Sequence, residues 1–135
     1  MQSAYQIALE RLTNFFNVRS NYDRLIDLQT GHPMPLRLVE WYVVHYSRQR
    51  QKQVHAMYKN KLKGMTKENF DPYRRRSKSC QVINFVCDHG SVQTTFAQVN
   101  FFRWVIENKI IEFIENDYTT VYSEFKRSGG RSLET

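Results

Sequence analysis

TTFAQVNFFRWVIENKIIEFIENDYTTVYSEF, residues Thr94–Phe125, places apolar side chains at Val99, Phe102, Ile106, Ile110, Phe113, Ile114, Val121 and Phe125. Steps of three and four residues put these on one side of a helix. Glu107, Lys109, Glu112, Glu115 and Asn116 fall between them and read as a solvated side. Thr94 and Thr95 can cap the start, because a hydroxyl there accepts from amides that have no helical partner. Asn108-Lys109 is a candidate break. The stretch predicts one long C-terminal helix or a helix pair.

The N-terminal third follows the same period. Tyr5, Ala8, Leu9, Leu12, Phe15 and Phe16 define a first helix over residues 4–16. Ser20 with Asp23 suggests a capped start for a short second helix carrying Tyr22, Leu25, Ile26 and Leu28. Gly31, Pro33 and Pro35 break the chain. A third helix, from about Leu36 to Arg48, buries Leu38, Val39, Tyr42, Val43 and Tyr46, with Trp41 packed at a helix junction.

From Val54 two periods compete. Val54, Met57, Tyr58, Leu62 and Met65 fit a helix, whereas Val54, Ala56, Tyr58 and Leu62 alternate with His55, Met57, Lys59, Lys61 and Lys63 as a half-buried strand would. The strand is the preferred reading. Cys80–Cys87 (CQVINFVC) is uncharged, β-branched and aromatic, and predicts a well-covered strand. The two segments would pair as an antiparallel hairpin, with Phe70 and Tyr73 pinning its tip and Asp88-His89-Gly90-Ser91 leading into the C-terminal helices. The expected fold is therefore α+β and mainly helical: N-terminal helices, a two-stranded antiparallel hairpin, then the C-terminal helices. Residues 1–127 would form one domain and residues 128–135 a flexible tail.

Charge is distributed unevenly. The chain has 135 residues and a net charge of +7. Arg48 to Lys78 holds eleven basic residues against Glu68 and Asp71, a local +9, while the remainder carries −2. Such confinement is expected where a protein meets a polyanion. The proposed contacts are Lys59, Lys61, Lys63, Lys67, Arg74, Arg75, Arg76 and Lys78, with Tyr58 and Tyr73 as stacking surfaces for bases. On a strand, Lys59, Lys61 and Lys63 would project from one face. With 9 Phe, 8 Tyr and 2 Trp, some rings should be left to face a partner.

Other chemistries find little support. Cys80, Cys87 and His89 lack the spacing of a zinc site. His89 and Ser91 match no nucleophile elbow, and no Gly-rich phosphate loop is present. A non-enzymatic protein without metal or cofactor is expected. No apolar run reaches the roughly 20 residues of a membrane span. The amphipathic N-terminus lacks the features of a signal peptide, and two cysteines form no disulfide framework. The expected compartment is reducing, and the protein is not secreted.

Four strings carry a resemblance: PLRLVEW at 35–41, YKNKLK at 58–63, FDPYRR at 70–75 and QVNFFRW at 98–104. Over roughly residues 15–118 the chain resembles a family of small proteins encoded by nucleocytoplasmic large DNA viruses, the giant viruses. One departure is Arg74, where the family pattern has a cysteine, which weakens any metal reading of that turn. The resemblance implies a setting, the viral factory in the host cytoplasm or the virion, and not a mechanism. In that setting the basic segment would bind DNA or RNA with little sequence preference. The alternative is a minor capsid protein whose basic face meets an acidic viral neighbour.

Overall fold

A computed structural model describes residues 1–73 and 81–129. Helix α1 (Ala4–Phe16) opens with a capping box: Ser3 Oγ accepts from the Gln6 amide, and Gln6 Oε1 accepts from the Ser3 amide. Its inner side buries Leu12 and Phe16. Helix α2 (Arg19–Thr30) buries Leu25 and Leu28 and ends at Gly31, whose φ of 70° suits a residue without a Cβ. The expected Ser20 cap does not form. Val18 holds the cap position without a side-chain bond, and Asp23 pairs with Arg19 at 3.2 Å instead.

The third helical stretch is longer than expected and is interrupted. Helix α3 (Leu36–Trp41) runs into a π-helical turn (Tyr42–Tyr46) and then α4 (Ser47–Arg50). A π turn fits one extra residue into the helix and shifts the side-chain register beyond it. Tyr42 and Tyr46 stack here with centroids 5.1 Å apart, and Ser47 donates to the Val43 carbonyl at 2.6 Å. Trp41 packs between Tyr46 and Phe125, at the junction anticipated for it.

Lys52–Asn69 is helix α5, not a strand. Val54 and Tyr58 are buried at a four-residue step, with Met57, Leu62 and Met65 packed beside them. Thr66 interrupts the helix near its end, at φ 65° and ψ 164°. The hairpin exists and its first strand falls within the expected Cys80–Cys87 segment, but its partner is a later strand and not Val54–Leu62. β1 (Val82–Cys87) pairs antiparallel with β2 (Gly90–Thr95) across a two-residue Asp88-His89 turn, in a register that sets Phe85 opposite Val92. The stretch expected to lead into the C-terminal helices is thus the hairpin turn. Gly90 sits at φ 150°, where a Cβ would lie 2.7 Å from the Tyr22 hydroxyl. Nor is β1 well covered. Phe85 and Cys87 face inward, while Val82 and Val86 remain exposed.

Thr95 caps helix α6 (Phe96–Glu107), its hydroxyl accepting from the Gln98 amide. This helix is buried on nearly every side, from Ala97 to Ile106 with Arg103 the exception, because α1, α2, α5 and β2 all pack around it. The break at Asn108-Lys109 is present: Lys109 takes a left-handed conformation, φ 60° and ψ 33°, and α7 (Ile110–Asn116) follows. Helix α8 (Tyr118–Arg127) adds Val121 and Phe125 to the core. The shift in direction at Lys109 takes Phe113 off the inner side, leaving it 39% exposed. The fold is α+β and mainly helical.

Candidate nucleic-acid interface

Helical geometry redistributes the lysines of α5. Lys52, Lys59 and Lys63 recur at seven and four residues and share one side of the helix, within roughly 40° of each other. Lys61 lies roughly opposite that row. The single lysine face expected of a strand is therefore split in two. Lys52, Lys59, Lys61, Lys63 and Lys67 are all exposed, and none makes an ion pair among the described residues. Arg50 differs: its guanidinium bonds Glu124 at 3.0 Å and lies 5.6 Å from the Tyr46 ring centroid. Arg48 is exposed and makes no such pair among the described residues.

Both tyrosines are engaged in the fold. Tyr58 is buried against Phe70 and Trp104, with ring centroids 6.1 and 6.0 Å away. Burial, reinforced by the negative charges of Glu40 and Asp71, raises its phenol pKa. Tyr73 is half-buried, and its hydroxyl donates to Glu40 Oε1 at 2.7 Å. Both the helical and the strand period place Tyr58 beside Val54 on the apolar side, and that shared signal already marks it as a core residue.

The turn leading to the arginine run is firmly held. Phe70 is buried among Tyr58, Phe101 and Trp104. The Asp71 amide donates to the Ala97 carbonyl, and the Asp71 carboxylate accepts from the Tyr73 amide. From α6, Gln98 donates to the Pro72 carbonyl at 2.9 Å and Asn100 to the Asn69 carbonyl at 3.0 Å. Thr94 in turn donates to Gln98 Oε1 at 2.6 Å. Two buried amides on a largely apolar helix thus satisfy the Asn69 and Pro72 carbonyls. Arg74, Arg75, Arg76, Lys78 and Cys80 lie outside the described residues; the chain enters the run from the anchored Tyr73 and leaves it into β1.

Lys61 reaches a separate place. It lines a cleft of about 280 Å³ between α1, α5 and α6, together with Arg11 and Arg103. Sequence reasoning missed both arginines, since no local pattern joins positions 11, 61 and 103. Among the described residues, no group of three or more His, Cys, Asp or Glu could hold a metal ion, and no helix is long and apolar enough to cross a membrane.

A mainly helical domain with a basic α5 and an anchored FDPY turn is the form this family takes here: the chain belongs to DUF7197, a family of unknown function, whose profile matches residues 2–131. It is similar to a protein of Acanthamoeba polyphaga mimivirus, uncharacterized protein L507, with 28% identity over 114 residues. That match covers 73% of this chain and 44% of the mimivirus protein, so the chain spans less than half the length of its relative. No solved structure matches the chain.

Proposed function

We propose that this is a giant-virus protein that binds nucleic acid through its basic segment, residues 48–78, with little regard for base sequence. The observation that carries the reading is the row of exposed lysines on α5 without an ion-pair partner among the described residues, in a segment holding +9 while the rest of the chain holds −2. Lysine presents a point charge and not a planar fork, so it suits phosphates better than base edges. Lys59 and Lys63 are separated by ~6 Å of helix rise, close enough for both to meet one backbone strand. The giant-virus setting is supported by the mimivirus relative. With Tyr58 and Tyr73 engaged in the fold, the binding reading rests on charge and not on stacking.

Anisotropy titrations on unrelated duplexes and single strands test this. With about four to six phosphate contacts, log affinity for duplex should fall against log salt with a slope of about −4 to −5. Replacing Lys59 and Lys63 by Gln should lower affinity alike on every sequence and flatten the slope by about 2. Absence of binding to DNA and RNA at about 50 mM salt would refute the proposal and assign the basic face to an acidic protein neighbour, as in a minor capsid role.

A further inference from the structure

We propose that the cleft between α1, α5 and α6 is a binding site for one phosphate-bearing group of nucleotide size. Arg11, Lys61 and Arg103 come from three different helices and converge on it. Only one carboxylate, Glu107, lines the same cleft. Glu107 is already engaged with Arg103 at 3.4 Å, and the Arg103 guanidinium also lies 5.0 Å from the Phe15 ring centroid. Both contacts engage the Arg103 guanidinium, whose side chain is 33% exposed. Arg11 and Lys61 have no ion pair among the described residues. Three cations with one acid give the cleft a net positive charge, which a phosphate, carrying between one and two negative charges, complements.

The rest of the lining sets the size and kind of ligand. Met65 supplies part-exposed apolar surface beside the cations, over a floor in which Leu12 and Trp104 are buried at 2% and 5% exposure. At about 280 Å³ the cleft falls just below the ~300–1,000 Å³ range of small-molecule sites, too small for a folded partner or a helix. Three cations beside a small apolar patch match a phosphate carried on an organic body of nucleotide size. That chemistry has two sources, a free nucleotide or one nucleotide within a strand. The inference stands apart from the proposal for the outer row of α5, because Lys61 lies across the helix from Lys52, Lys59 and Lys63.

Amide and indole NMR spectra of the isotope-labelled full chain, titrated with adenosine monophosphate, adenosine and a short oligothymidylate, provide the test. The phosphate-bearing probes should shift the Lys61 and Arg11 amides and the Trp104 indole saturably, and adenosine should bind at least about tenfold more weakly. Arg11→Gln and Lys61→Gln alter exposed side chains, so the fold should persist, and each should weaken the phosphate-bearing probes about tenfold. The Lys59→Gln, Lys63→Gln protein should keep the cleft response, even where its affinity for long duplexes has dropped. Equal binding of the mononucleotide and the oligonucleotide identifies a free nucleotide as the ligand; oligonucleotide binding alone identifies a strand. No saturable shift with either phosphate-bearing probe, saturable binding of adenosine as tight as that of adenosine monophosphate, or unchanged phosphate-probe binding in Lys61→Gln would each overturn the inference.

Discussion

Replacing Phe70 by Ala tests whether the turn before the arginine run is anchored by packing. Phe70 is 2% exposed and meets three rings: Phe101 at 5.2 Å, Trp104 at 5.8 Å and Tyr58 at 6.1 Å between centroids. Burying a phenyl side chain contributes about 1.5–3 kcal/mol. Each well-oriented ring pair adds ~0.5–1.5 kcal/mol, and the cavity left by truncation removes more contacts. The near-perpendicular geometry with Trp104, 87°, is the favourable edge-to-face arrangement. A total near 4 kcal/mol is expected, within the ~3–5 kcal/mol seen for buried Phe→Ala changes. Against a domain stability of ~5–15 kcal/mol, the variant still folds but with little margin. In urea, followed by tryptophan fluorescence, the midpoint should fall by about 2 M at an m-value near 2 kcal/mol/M. The melting temperature should fall by about 12 °C, at roughly 3 °C per kcal/mol. Phe70→Leu keeps most of the volume and should cost ~1–1.5 kcal/mol. A midpoint shift below about 0.5 M for Phe70→Ala, with m unchanged, would refute the claim that Phe70 pins the turn.

Lys109 occupies the left-handed region at φ 60° between α6 and α7, a conformation that costs a side-chain-bearing residue ~1–2 kcal/mol. Lys109→Gly should therefore stabilise the protein by about 0.5 kcal/mol after the added chain entropy, whereas Lys109→Val should destabilise it; denaturant midpoints decide both. A further expectation concerns alkaline pH. Burial first, then the neighbouring Tyr46 and Asp117, push the Tyr42 pKa from 10.0 up to about 12. The folded chain then holds this proton more tightly than the unfolded chain, so the stabilisation is fully present below pH 10 and is lost as pH rises from 10 towards 12. Tyr46, buried and donating to Asp117, and Tyr58 shift in the same direction. Thermal melts between pH 9 and pH 11.5 should show the decline, and Tyr42→Phe should make it shallower.

Much of the fold can be read from short-range pattern. Periodicity is enough for α1, for the chain from Leu36 to the end of α4, and for the apolar side running through α6 and α8, because side chains three and four residues apart must share a side of any helix. Thr95, Gly31 and the break at Asn108-Lys109 were also legible, since caps and left-handed corners depend on neighbouring residues alone. The strands were different. Both periods fit Val54–Lys63; in the helix Met57, Leu62 and Met65 join Val54 and Tyr58 against the core at three- and four-residue steps, while Ala56, which a strand would turn inward, is exposed. β1 instead finds its partner in the next strand, two residues away, where a hairpin closes with little loss of chain entropy. The split of the lysine row followed directly from that outcome. Composition alone established that one segment carries the excess charge. Tertiary packing decided which charges share a surface: it sank Tyr58 among Phe70 and Trp104, and it brought Arg11, Lys61 and Arg103 around one cleft from positions far apart in the chain.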